Sequence, residues 1–259
     1  MTLPAADIAE FLGAAKDLAA SAAPVALRHF RRPLAVEAKA DTSPVTEADR
    51  ETEAHLRDAI RARFPDHGIV GEEFGAEAQG AAFVWTLDPI DGTKSFLSGH
   101  PLWGTLIALS HRGRPILGVI SMPALGEVMY GGPGLGCRLD GRPVQARPAP
   151  PLAEAFVMIN ELPRILAAHP AQAARLLAAG RFPRAAADCY SYLQFAAGWV
   201  DAVVDCGLQP YDWLAVLPLV EAAGGRITDW QGRPLGPESD GRVLAARPEL
   251  HAELLACLA

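Results

Sequence analysis

One run, Val84-Trp85-Thr86-Leu87-Asp88-Pro89-Ile90-Asp91-Gly92-Thr93-Lys94-Ser95-Phe96, constrains this chain more than any other. A short apolar strand, Val84 to Leu87, ends at two aspartates three residues apart. Gly92 and Thr93 then turn the chain, and the polar-to-apolar segment after them has the character of a helix start. Two close carboxylates at a strand end repel each other and lack neutralising partners in the local sequence. A hard divalent cation with oxygen ligands resolves that repulsion. Beside it, the N–H groups of the Gly92–Thr93 turn and of the helix start form an anion site. Metal next to an anion pocket is the arrangement that phosphoryl-group chemistry uses. The plainer alternative is a strand, an Asp-Gly turn and a helix cap that bind nothing.

The rest of the chain alternates in a way that fits an α/β layered protein. Ile8, Phe11, Leu12, Ala15, Leu18, Ala19 and Ala22 form a helical stripe between about Ala6 and Phe30, which Pro24 kinks or divides. A second helix is predicted from Glu47 to about Phe64, with Thr46 as N-cap and Asp49 completing a capping-box pattern. Strands are predicted at Gly68–Val70, Val84–Leu87, Trp103–Ser110, Ile116–Met122 and Glu127–Tyr130, the later ones as an antiparallel meander. The proline-rich stretch Arg147-Pro148-Ala149-Pro150-Pro151 marks a boundary between subdomains of about 1–147 and 148–259 within one catalytic unit, residues 1–259. Beyond it come a strand near Ala155–Ile159, a helix over Pro170–Ala179 and a strand near Val200–Asp205. A helix over Trp213–Ala223, two short strands and a closing helix from Pro248 complete the pattern.

With 259 residues the chain suffices for one sizeable domain or two closely packed subdomains. A formal net charge of −7 argues against nucleic acid as the main ligand, which needs a clustered basic face. No uncharged apolar stretch reaches membrane-spanning length, and Met1 to Asp7 does not read as a secretory signal. Cys137, Cys189, Cys206 and Cys257 show no zinc-ligand spacing and read as reduced thiols of a cytoplasmic protein.

Two further acidic positions gain meaning from Asp88 and Asp91. A divalent site with open positions needs more carboxylates, and Glu72, in Gly71-Glu72-Glu73-Phe74-Gly75 after a short strand, is the natural candidate; alone it reads as a solvated loop residue. Asp212, after the Gly207-Leu208-Gln209-Pro210 turn, is either a helix N-cap or a carboxylate that reaches the metal from the second subdomain. His100 reads as structural, and Trp85, Trp103 and Trp213 as core or wall residues. Lys94 either adds positive charge near phosphate or faces solvent. Lys39 and Asp41 are placed in a loop that closes on a further metal.

Glu72-Glu73 after a strand, Asp88-x-Ile90-Asp91-Gly92-Thr93 and the distant Asp212 together resemble the inositol-monophosphatase superfamily of magnesium-dependent phosphomonoesterases. The resemblance runs from about Ser43 to Gly225, and the Asp88 string is its most specific part. It implies an α/β (α+β) fold, the layered α-β-α-β-α sandwich, and a homodimer. It makes Glu72, Asp88, Asp91, Asp212 and the main-chain carbonyl of Ile90 ligands for Mg2+, two or three per site. Thr93, with Asp49 behind it and Glu72 assisting, orients and helps deprotonate the attacking water, and the N–H groups of Gly92 and Thr93 hold the phosphate of a small phosphorylated metabolite.

Within the superfamily the chain is most similar to the histidinol-phosphate phosphatase branch. The segments that carry this are Ser43 to Arg50, Ser95-Phe96-Leu97-Ser98-Gly99, Pro101 to Ile107, Asp188-Cys189-Tyr190-Ser191-Tyr192 and Gly207 to Asp212. That branch implies L-histidinol phosphate as substrate, with inositol 1-phosphate or a broader range of small phosphomonoesters as the alternative. Asp205 and Asp188 are then placed to pair with the cationic substrate; otherwise Asp205 is a strand-end residue facing water. The competing class is a phosphatase fold that has lost its chemistry and serves as a binding or regulatory protein.

Overall fold

The computed structural model describes residues 3–38, 44–185 and 188–259. Helix α1 (Ala5–Leu27) is followed by the short antiparallel pair β1 (Glu37–Ala38) and β2 (Pro44–Val45), then by α2 (Glu47–Arg63). Next come β3 (Gly68–Gly71), β4 (Gly75–Glu77), β5 (Phe83–Asp91), α3 (Thr93–Leu97), β6 (Gly104–His111), β7 (Arg114–Met122), β8 (Glu127–Gly132), β9 (Gly136–Leu139) and β10 (Arg142–Val144). The second half runs β11 (Phe156–Ile159), α4 (Leu162–Ala168), α5 (Pro170–Ala179), β12 (Phe182–Ala185), α6 (Asp188–Ala196), β13 (Ala202–Asp205), α7 (Pro210–Ala222), β14 (Arg226–Thr228), β15 (Val243–Ala246) and α8 (Pro248–Leu258).

Two sheets result. The first has the order β10-β9-β8-β7-β6-β5-β3-β4; the strands from β5 to β10 form the expected antiparallel meander, and β3 lies parallel to β5. The second has the order β12-β11-β13-β15-β14, parallel among its first three strands and antiparallel after them. Their strands are apolar on both faces because both faces are covered. In β6 and β7, Leu106, Ala108, Ile120 and Met122 face one way, while Ile107, Leu109, Leu117 and Val119 face the other. In β13 and β15, Val203, Val243 and Ala245 oppose Ala202, Val204, Leu244 and Ala246 in the same manner.

Each face selects its helices. Phe11, Ala15 and Leu18 of α1 and Leu56 and Ile60 of α2 cover the outside of the first sheet. Tyr192, Leu193 and Phe195 of α6 and Trp213, Val216 and Leu219 of α7 fill the space between the sheets. Ile165, Ala173, Leu176, Leu250 and Leu254 of α4, α5 and α8 close the outside of the second. The outcome is the α-β-α-β-α order. Burying one Leu or Val of the central layer contributes roughly 1.5–3 kcal/mol, so α7 is firmly seated.

Several expected boundaries shift. The first helix ends at Leu27, short of Phe30, with Pro24 in its last turn. Strand β5 does not stop at Leu87 but runs on through Asp91. Helix α7 starts at Pro210, three residues before Trp213. Thr46 is the N-cap of α2 as expected: its hydroxyl accepts from Ala48 N at 3.1 Å, and Asp49 Oδ2 accepts from Thr46 N at 2.8 Å. No described helix is long and apolar enough to cross a membrane. The four cysteines are free thiols, three of them buried.

Candidate active site

The period of two along β5 sets the direction of the first acidic side chain of the site. Trp85 and Leu87 point into the core under α1 and α2, so Asp88 points the other way, towards α7. The ladder to β6 then shifts register between Asp88 and Asp91, and this bulge accommodates Pro89, which has no N–H to give to a ladder. Thr105 Oγ1 donates to the Pro89 carbonyl at 2.9 Å, and Ile90 N donates to Asp88 Oδ1 at 3.0 Å. The Ile90 side chain is buried with Phe96 and Trp103, and its carbonyl accepts from Thr93 Oγ1 at 3.2 Å. Asp91 closes the strand with its Oδ2 accepting from Cys189 N, the second residue of α6, at 2.6 Å.

Asp212 arrives from the other half of the molecule. It is not the N-cap of α7: Pro210 takes the first helical position, Gln209 is the N-cap, and Asp212 is the third residue of a capping box. Its Oδ2 accepts from Gln209 N at 2.6 Å. One carboxylate oxygen from each of Asp88, Asp91 and Asp212 lies within 4.8 Å of the others.

Electrostatics explain why such a cluster calls for a cation. Burial, first of all, raises the Asp88 carboxyl well above its ordinary range, and the charges of Glu72, Asp91 and Asp212 push it the same way. Asp91 is raised by burial and then by Asp188 and Asp212, against the opposing pull of the Cys189 amide. Clustered hard oxygens with mutually unfavourable charges fit a divalent ion of the Mg2+ or Ca2+ type.

The cluster lies in a cavity of about 300 Å³. Among the described residues, its lining carries seven carboxylates (Glu72, Asp88, Asp91, Glu161, Asp188, Asp205 and Asp212) against two cationic side chains, Lys94 and Arg164. Lys94 Nζ is engaged by both oxygens of Glu161, at 2.9 and 3.1 Å. Asp88, Asp91 and Asp212 are therefore gathered at one point of the lining, and Lys94 is held by Glu161.

The sequence model of the inositol monophosphatase family matches residues 7–259. The chain belongs to the inositol monophosphatase family. It is 40% identical over 235 residues to the histidinol-phosphatase of Chlorobaculum parvum, covering 89% of this chain and 90% of that one. It is 39% identical over 242 residues to the chloroplastic bifunctional phosphatase IMPL2 of Arabidopsis thaliana, 92% of this chain and 70% of that one. The solved structure of an inositol monophosphatase from Zymomonas mobilis superposes with a TM-score of 0.88 at 36% identity, covering 99% of each chain.

Inositol monophosphatase family membership makes the chain a phosphatase, and of the remaining expected residues Glu72, Gly92, Thr93, Asp188 and Asp205 line its cavity whereas Asp49 does not. Glu72 follows β3, lines the cavity and donates its N–H to the Leu87 carbonyl at 3.2 Å. Gly92 and Thr93 line it too, Gly92 at φ +83° as the N-cap of α3. A side chain at Gly92 is excluded twice, by that φ and by Asp188, whose Oδ2 would lie 2.7 Å from a Cβ there. Asp49 is buried, with Oδ2 accepting from both Thr46 N and Thr46 Oγ1. Asp188 Oδ2 accepts from Ser95 Oγ at 2.7 Å. Asp205 lines the cavity but does not face water: it is 2% exposed, and it accepts from Asn160 Nδ2, Tyr192 OH and Cys206 N. Burial raises its carboxyl to about 7 despite those donors. His100 is exposed, Trp85, Trp103 and Trp213 are core residues, and Lys39 and Asp41 lie outside the described residues.

Sequence reasoning missed Asn160 and Glu161, and it gave Thr105 and Tyr192 no role of their own although both lie in the segments that carry the likeness. Thr105 and Asn160 did leave a signal, each being a polar residue within or directly after an apolar strand.

Proposed function

We propose that this phosphatase is Mg2+-dependent and that its principal substrate is L-histidinol phosphate. The observation that carries the first half is the meeting of Asp88, Asp91 and Asp212 oxygens within 4.8 Å beside the Gly92–Thr93 turn. Glu72, Asp88, Asp91, Asp212 and the Ile90 carbonyl would hold two or three ions. When bound, these supply positive charge to the ester oxygens and acidify the attacking water. The N–H groups of Gly92 and Thr93 orient the phosphate. Thr93 Oγ1, backed by Asp49 and with Glu72 assisting, orients the water and helps remove its proton.

The substrate assignment is supported by the relatives and by the cavity. Histidinol-phosphatases of Chlorobaculum parvum and Mycobacterium tuberculosis match at 40% and 35% identity over most of the chain. L-Histidinol phosphate carries an amine and an imidazole, and a cavity wall containing Asp188 and Asp205 suits such a cation. The likeness to the Zymomonas mobilis inositol monophosphatase favours inositol 1-phosphate as a second reading. Turnover of L-histidinol phosphate, inositol 1-phosphate and fructose 1,6-bisphosphate, each with and without Mg2+, separates the two. We expect the highest kcat/KM for histidinol phosphate and no release without Mg2+. Preference for either polyol ester overturns the substrate, and metal-independent release overturns the site. A cytoplasmic location and a homodimer complete this reading on family resemblance, and light scattering of the purified protein checks the dimer.

A further inference from the structure

We infer that Glu53, in the middle of α2, is a positioning residue that holds the Glu72 loop and so sets the affinity of the site for its cation. This rests on the reading of Glu72 as a metal ligand.

Asp49, Glu53 and Arg57 follow one another at four-residue steps, so they share one face of α2. All three are buried, at 1%, 0% and 3% exposure. A Glu-Arg pair at this spacing ordinarily sits in water and stabilises little. Here it is taken out of water, which costs more than the mutual attraction returns unless every remaining lone pair and proton finds a partner. Those partners are the backbone that follows Glu72. Glu53 Oε2 accepts from Glu73 N at 2.7 Å, and Oε1 accepts from Phe74 N at 3.2 Å and from Arg57 Nε at 2.7 Å. Arg57 in turn donates to the Gly75 carbonyl and, at 3.4 Å, to Glu77.

The residue before Glu72 is part of the same contact. A Cβ on Gly71 would run into the Glu53 carboxylate, so that carboxylate lies directly against the loop backbone. On the other side Glu72 N is tied to the Leu87 carbonyl of β5. Glu72 is thus pinned between α2 and the strand that carries Asp88, and its side chain contributes to the cavity lining. Glu53 does not line the cavity. It acts through the loop, as outer-shell partners of ligating carboxylates do, and losing such a partner changes metal affinity by about 10- to 100-fold.

The test uses purified full-length protein and direct Mg2+ binding by isothermal titration calorimetry, alongside the Mg2+ concentration for half-maximal phosphatase rate. Glu53→Gln puts an amide NH2 where Glu73 N–H needs an acceptor. Gly71→Ala displaces the carboxylate without removing a charge, and Glu53→Asp withdraws it by one methylene if either of the others fails to fold. Asp201→Asn, which disturbs a buried aspartate paired with Arg147 away from the cavity, is the control for lost stability. We expect the Mg2+ dissociation constant to rise about 10- to 100-fold in the Glu53 and Gly71 variants, with most of kcat recovered at saturating Mg2+. Asp201→Asn should leave it unchanged. Weakened Mg2+ binding in Glu72→Gln with an unaltered constant in folded Glu53 and Gly71 variants overturns the positioning role of Glu53 alone. An unaltered constant in Glu72→Gln overturns both, because the loop then carries no ligand.

Discussion

Two regions of this molecule bury aspartates, and their surroundings are opposite. Asp201 is almost wholly enclosed immediately before β13, where Arg147 Nε donates to Oδ1 at 2.5 Å and Phe156 N donates to Oδ2 at 2.7 Å. Its charge is answered by a cation and a backbone amide of the protein itself. Asp88 is equally enclosed, yet the charges acting on it are Glu72, Asp91 and Asp212. Apart from the acceptor it gives Ile90 N, Asp88 adds little to the fold, because buried like charges lower stability. Burial alone therefore does not set the two aspartates apart. The sign of the neighbouring charges does.

The sharpest way to break that division is to neutralise one member of each region. Asp88→Asn should lower kcat/KM by about 10³-fold or more, equivalent to roughly 4 kcal/mol of charge stabilisation. The metal-free protein should keep its thermal midpoint or gain about 1 kcal/mol from relieved repulsion. Asp201→Ala should do the reverse. It strands Arg147 and the Phe156 amide and costs about 3 kcal/mol, the low end for a broken buried pair because Arg147 is partly exposed. The kcat of the molecules that remain folded should not change. Calorimetric unfolding together with a phosphate-release assay reads both. Retained turnover in Asp88→Asn, or lost turnover in folded Asp201→Ala, would erase the distinction.

How much of this was legible in sequence follows the same line. Asp88 and Asp91 were readable because one short string holds both, next to a glycine turn. Asp212 was readable as a candidate, but its place was not: Pro210 and Gln209 start the helix earlier, which moves Asp212 from the cap into the first turn. The strand was expected to end at Leu87, whereas a bulge between Asp88 and Asp91 carries it past Pro89 to pair Asp91 with Gly104. The helix start after Gly92 was readable and is α3, whereas short elements such as β4 and β12 lie below the length at which periodicity speaks, and Pro183 disguises β12 as a loop. The Glu53–Arg57 pair was invisible for a different reason. Its spacing is that of any exposed helical ion pair, and only the loop folded over it tells the two apart.

Asp205 stands between the two regions and sharpens the comparison. It has internal donors, as Asp201 does, but no cation, and its carboxyl is pushed up to about 7 from an ordinary value of 3.8. The folded chain then binds this proton more tightly than the unfolded chain. Its contribution to stability is full below the ordinary carboxylate range and is lost as the pH rises to about 7. Between pH 8 and pH 5, in the absence of metal, wild type should gain about 2 kcal/mol relative to Asp205→Asn. Denaturant melts of both proteins at the two pH values measure that difference. A difference of zero would place Asp205 with the fully answered aspartates.

The smallest effect is expected where a pair bridges the cavity mouth in solvent. Lys94 Nζ meets both Glu161 oxygens, but 69% of the lysine side chain remains exposed, so water and salt screen the attraction. Holding a long side chain in one geometry also costs rotamer freedom of similar size. Lys94→Gln should therefore change stability by less than about 0.5 kcal/mol, which for a chain of this length shifts the thermal midpoint by less than about 2 °C. If the lysine only faces solvent and Glu161, KM for the phosphomonoester should move by less than about threefold, a difference that disappears at high salt. A tenfold rise in KM that persists at high salt would show a different arrangement. The ester would be drawing Lys94 away from Glu161 and desolvating it, and the lysine would then belong with the acidic cluster as the positive half of one binding site rather than with the surface pairs.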